Sequence, residues 1–79
     1  MTITTTDVIK VASDVFQVKS DSIDDSSSID NTPEWDSITH MSLVVSLENV
    51  FSVEFTGDEI GELTSISSIL DILLSKLSS

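Results

Sequence analysis

Ser37 lies between Asp36 and Ile38 in the stretch EWDSITHM, residues 34–41, with His40 three positions further on. A serine in this setting has three uses. It could cap a helix, since serine is a favoured N-cap, although Asp36 is equally suited to the role. It could act as a nucleophile, with His40 as its base and Asp36 as the orienting acid. Or it could be the atom to which a group is attached. Local chemistry alone favours the cap. The nucleophile asks for the most and finds the least. A triad needs its acid on the far side of the imidazole, and neighbours along one helix do not converge that way. No glycine-rich elbow leads into the serine, and a chain this small offers little cavity for a substrate. His40 then reads as a polar residue at the rim of a first helical turn. Attachment fits the context best. The serine stands where a polar loop meets an apolar helix, exposed to a modifying enzyme.

The elements that must position this serine are legible in the apolar spacing. In TTTDVIKVASDVFQV, residues 4–18, Val8, Val11, Ala12, Val15 and Val18 recur at intervals of three and four. That is an amphipathic helix. Thr5 or Thr6 is the expected cap, with Asp7 in the first turn where the helix dipole favours it. Lys19 to Asp36 follows, rich in serine and aspartate and interrupted by Pro33. It is long for a connection, which points to a functional or disordered loop. Ile23, Ile29 and Trp35 are spaced as apolar anchors, so a loop pinned to the core is expected. Its acids do not follow the EF-hand spacing. Loose binding of a divalent cation stays open, but no defined metal site is expected.

A second helix is predicted from Ser37 to Phe51 and a short helical turn from Asp58 to Leu63, broken up by Gly57 and Gly61. Thr64 or Ser65 should cap a last helix, with Ile66, Ile69, Leu70, Leu73 and Leu77 as its buried stripe and Lys76 in its last turn. Val53 and Phe55 alternate as in a strand, but a lone strand has no partner. The fold class is all-α: a small four-helix bundle, three helices long and one short, with a long loop between the first two.

At about 100° per residue, the second helix carries two apolar faces. Leu43, Val44, Leu47 and Phe51 form the core face, bordered by Val50. Ile38, Met41 and Val45 fall roughly opposite. One stripe is enough to pack a surface helix. The second must be covered by the short third helix, by a ligand or by a partner protein in the helix-in-groove manner.

The 79 residues suit one domain, 1–79, with a modest core. With no cysteine and one histidine, a disulfide framework and the usual zinc ligand sets are excluded. The net charge of −11, with Lys10, Lys19 and Lys76 as the only cations, repels nucleic acid and anionic membranes. Basic patches on proteins are the natural partners of such a surface. The N-terminus lacks a signal-peptide pattern, and no apolar run approaches a membrane span. A cytoplasmic monomer is expected.

The stretch DSITHMSLVVSLENVF resembles the Asp-Ser-Leu signature and following helix of acyl carrier proteins, and VEFTGDEIGELTSISSILDIL resembles their closing segment. The resemblance covers about residues 5 to 77. It implies that Ser37 accepts phosphopantetheine from coenzyme A through a dedicated phosphopantetheinyl transferase, with Asp36 near that enzyme's metal site. It implies partner contacts at Ile38, Met41 and Val45, and at Glu48 toward basic residues of acyl-loading and acyl-processing enzymes. A group carrier of this kind performs no catalysis itself. Glu34 and Trp35 stand where the family often has a glycine and a small residue, and Trp35 is similar to a branch of free-standing carriers in specialised bacterial pathways. Ser42 and Asn49 replace glutamates common in fatty-acid carriers, which speaks against a housekeeping role. The Leu-Gly-Gly approach of many peptidyl carriers is absent, though an aminoacyl cargo stays open. Met1 and the end just after the last helix suit a discrete carrier. The competing readings are an unmodified acidic helical adaptor and a small hydrolase using Ser37.

Overall fold

The computed structural model describes residues 3–77. Four helices follow in order: α1 (Thr5–Phe16), α2 (Ser37–Phe51), α3 (Gly57–Glu62) and α4 (Ile66–Leu77). Helix α1 packs against both α2 and α4, and α3 packs on α4. The core runs through Val8, Ala12, Leu43, Leu47, Leu63, Ile66, Ile69 and Leu73, all fully buried. The expected all-α bundle of three long helices and one short one is the architecture found.

Helix α1 begins one residue earlier than expected. Thr4, not Thr5 or Thr6, is its cap: its Oγ1 accepts the Asp7 N–H at 3.4 Å, and Asp7 Oδ2 accepts the Thr4 N–H at 2.9 Å. This reciprocal pair is a capping box, here with aspartate rather than glutamate. The helix stops at Phe16 because Gln17 turns left-handed, with φ 58°, and Val18 N–H reaches back to Ser13 O at 3.1 Å. That 6→1 bond is the Schellman closure. Val18 is therefore only packed at the edge of the core, and Phe16 takes the buried place instead. Helix α2 closes in the same way, with Ser52 at φ 55° and Val53 N–H bonded to Glu48 O at 3.2 Å.

The loop between α1 and α2 is folded. It holds a 3₁₀ turn at Ser20–Ser22, and Ile23 and Trp35 are buried. Ile29 is a correction: its side chain is exposed, and the backbone anchors the loop there instead. Ile29 N–H bonds Thr64 O at 2.9 Å and Ile66 N–H bonds Ser27 O at 3.0 Å, forming an antiparallel bridge between Ser28 and Ser65. Asp24 Oδ1 accepts the Ser26 hydroxyl at 2.6 Å and the Ser26 N–H at 2.9 Å. Those two donors, the hydroxyl foremost, hold the Asp24 carboxyl below the usual carboxylate range.

The short helix α3 includes both glycines rather than being broken by them. A Cβ at Gly57 or Gly61 would meet nothing within 4 Å. The helix survives their low propensity because its first turn is fixed. Thr56 Oγ1 accepts the Glu59 N–H at 3.2 Å, Glu59 Oε1 accepts the Thr56 N–H at 2.9 Å, and Lys76 Nζ sits 2.7 Å from the same Glu59 oxygen. Lys76 also lies over the Phe55 ring at 5.6 Å, so it does more than oppose the dipole of its own helix. Ser65 caps α4 by accepting the Ser68 N–H at 3.1 Å. Of the expected α4 stripe, Ile66, Ile69 and Leu73 are buried, Leu70 is half-buried and Leu77 is exposed. Among the described residues, no helix is long and apolar enough to cross a membrane.

Candidate functional site

The first turn of α2 places Asp36, Ser37 and Ile38 at the surface. Asp36 is the cap. Its Oδ1 accepts the N–H groups of Ile38 at 3.0 Å and Thr39 at 2.9 Å. Thr39 Oγ1 returns the favour by accepting the Asp36 N–H at 2.8 Å and donating to Glu34 O at 2.7 Å. The Thr39 N–H above all, then its hydroxyl and the Ile38 N–H, keep the Asp36 carboxyl below the usual range and therefore ionised at neutral pH. The cap that local chemistry offered to Ser37 thus falls to its neighbour. Carboxylate and hydroxyl are comparable caps, and here the carboxylate reaches two amides at once. Ser37 begins the helix proper, exposed, and its hydroxyl is not used in closing the helix end.

The nucleophile reading fails on His40. The Trp35 indole N–H lies 3.0 Å from His40 Nδ1, and His40 Nε2 lies 2.9 Å from the carbonyl oxygen of Ile60. An indole nitrogen can only donate, and a carbonyl oxygen can only accept. Nδ1 must therefore be the acceptor and Nε2 must carry the proton. Both ring nitrogens are occupied, and neither is left to take a proton from Ser37. His40 is not a rim residue, as the sequence suggested, but a half-buried link between the loop and α3. Trp35 closes the link on the other side, with its ring 5.3 Å from that of Phe16 and 6.3 Å from the imidazole. The five-residue spacing of Trp35 and His40 was visible in the chain, but nothing marked Ile60 as their partner.

The second apolar face of α2 is uncovered. Ile38 is 79% exposed, Met41 51% and Val45 53%. Helix α3 lies on α4 and does not shield this stripe, so the first of the three possible covers is removed. Among the flanking side chains, Ser42 and Asn49 are exposed and neutral. Glu48 is half-buried, and its Oε2 accepts the Phe55 N–H at 2.9 Å. A shallow groove between α1 and α2 is lined by Val11, Asp14, Val15, Ser42, Ser46 and Val50, away from Ser37. Among the described residues, no group of three or more histidine, aspartate or glutamate side chains is placed to hold a metal ion.

A model of the phosphopantetheine attachment site family matches residues 6–73. The chain belongs to this family. Its members carry phosphopantetheine covalently as a prosthetic group and are carriers rather than enzymes, so this protein is a phosphopantetheine-bearing carrier. No curated protein matches the sequence. The match spans all four helices apart from the first residue of α1 and the end of α4. The residues of this chain suit such a group: an exposed hydroxyl opens a helix whose N-terminal dipole favours a phosphodiester anion. Partner enzymes, the phosphopantetheinyl transferase among them, are general requirements of the family.

Proposed function

We propose that Ser37 is the attachment site and that this carrier presents an acyl, or aminoacyl, group to enzymes of a specialised biosynthetic pathway in the cytoplasm. The observation that carries the assignment is the division of labour at the head of α2. Asp36 satisfies the helix end, Ser37 keeps an exposed hydroxyl, and the uncovered stripe of Ile38, Met41 and Val45 begins beside it. In the transfer, the Ser37 oxygen forms a bond to the β-phosphorus of coenzyme A. The phosphoanhydride bond breaks, adenosine 3′,5′-bisphosphate leaves, and the hydroxyl proton passes to the transferase. When bound, the arm supplies a terminal thiol that holds the cargo as a thioester. The ionised Asp36 next to the reacting oxygen favours a divalent cation at the transferase interface. Ile38, Met41 and Val45 are the docking residues, with Glu48 at their margin.

The test is intact mass after incubation with coenzyme A and a broad-specificity phosphopantetheinyl transferase. One added phosphopantetheine is expected on the native sequence and none on Ser37→Ala. Equal modification of both would move the site. No modification by several such transferases would favour an unmodified adaptor.

A further inference from the structure

Helix α3 has only six residues, far below the length at which a helix holds itself together in water. It packs on α4 and is joined to α2, among the described residues, by one hydrogen bond, from His40 Nε2 to Ile60 O. His40 lies one turn beyond Ser37, so this bond fixes α3 beside the turn that bears Ser37, Ile38 and Met41. The bond requires a proton on Nε2. A neutral histidine free of constraint can carry its proton on either nitrogen. Here two groups make the choice: the donor-only indole N–H of Trp35 sits 3.0 Å from Nδ1, and the acceptor-only carbonyl of Ile60 lies 2.9 Å from Nε2. Trp35 is itself held rigidly, 2% exposed and packed on Phe16 of α1. The whole link runs from α1 through the end of the loop and the first turn of α2 to α3.

We propose that His40 is a positioning residue, locked between Trp35 and the Ile60 carbonyl in the Nε2–H tautomer, which holds α3 as one wall of the surface that partner enzymes meet around Ser37. The proposal rests on the assignment of Ser37 for its functional consequence but not for its structural one. Trp35, the residue before Asp36, is buried and also helps to select the tautomer. A phenylalanine there would preserve much of the packing and lose the hydrogen bond to Nδ1, leaving the Ile60 carbonyl alone to hold the ring. His40→Phe would lose both hydrogen bonds. His40→Gln retains an amide donor that can reach the Ile60 carbonyl.

The experiment uses the full apo chain at about pH 8, where an ordinary imidazole is neutral. Long-range ¹⁵N–¹H spectra of the His40 ring are expected to show the proton on Nε2 and Nδ1 shifted as a hydrogen-bond acceptor in the native sequence, and to lose that Nδ1 shift in Trp35→Phe. Amide exchange in α3 should quicken by about tenfold in His40→Phe, the equivalent of one hydrogen bond, with α1 and α4 following only the change in global stability. His40→Gln should restore α3 protection. In transferase kinetics, His40→Phe should raise KM about tenfold by the same conversion, and His40→Gln should recover it. A proton on Nδ1 in the native ring, or α3 exchange that moves only with global stability, would overturn the proposal while leaving Ser37 untouched. An unchanged KM in His40→Phe would remove its role in recognition. Loss of all modification on the native sequence would sink the Ser37 assignment, while the ring and exchange results would still decide whether Trp35 and His40 hold α3.

Discussion

Glu48 Oε2 accepts the backbone N–H of Phe55 at 2.9 Å, seven residues further along the chain. This bond fastens the segment leaving α2 to the helix it has just left. It also engages the one acid within α2, where Ser42 and Asn49 are neutral. Charge on α2 itself is therefore sparse and committed inward, despite the net charge of −11 on the chain.

Met41→Ala or Val45→Ala is accordingly expected to weaken binding to the cognate enzyme more than Glu48→Gln. Fully burying such a side chain contributes about 1.5–3 kcal/mol, whereas an exposed ion pair gives about 0–1 kcal/mol. Binding of the holo form should be measured at two salt concentrations, since attraction between exposed charges fades with ionic strength. If Glu48→Gln is the most damaging change and affinity collapses in salt, charge dominates the interface and this expectation is wrong.

Glu48→Ala should destabilise the fold by about 1 kcal/mol through the Phe55 amide it leaves unbonded, while Glu48→Gln, which keeps an acceptor oxygen, should cost less. Urea midpoints compare the two. Equal losses would mean that the carboxylate acts through its charge and not through this bond.

The pH dependence follows from Asp36. Its carboxyl is held down chiefly by the Thr39 N–H, and Asp24 and Glu59 are held down by Ser26 and Lys76. A carboxylate lowered in the folded state contributes stability that is complete above its unfolded value and is lost as pH falls through the folded one. Stability from these groups should be level above about pH 5 and decline below about pH 4. Asp36→Asn preserves a good cap and should make the decline shallower. Acid unfolding curves of identical steepness would show that Asp36 is not linked to folding.

Salt or millimolar magnesium should raise the melting temperature. The chain has three lysines against fourteen acids, and self-repulsion opposes compaction. The ion pair of Lys76 with Glu59 would be weakened by salt, but it opposes the trend at a single site. A melting temperature that is flat or falls with salt would mean that the fold already balances its charges.

Much of this was written in the chain. The bounds of α2, its two apolar faces and the all-α class follow from periodicity, because a helix repeats its own geometry and needs no knowledge of distant residues. Helix ends were harder. Thr4 and Asp36 won their caps over equally suitable neighbours because only the folded backbone decides which oxygen meets the free amides. Gln17 and Ser52 turn left-handed without glycine to announce it. The inward role of Glu48 and the bond of His40 to Ile60 depend on backbone atoms, which carry no residue-specific signal. Ile29 looked like a side-chain anchor and proved to be a backbone one for the same reason.

The bridge between Ser28 and Ser65 has a consequence for the order of folding. It joins points 37 positions apart in the sequence, and both α2 and α3 lie inside the span it closes. Helical turns assemble from near neighbours in about a microsecond, whereas contacts between remote segments must await chain closure. The bridge is therefore expected to form late, a clasp shut after the local helical turns. The amides of Ile29 and Ile66 should then gain protection later than those in the middle of α1 in a refolding pulse-labelling experiment, and early protection of that pair would make the loop the leader.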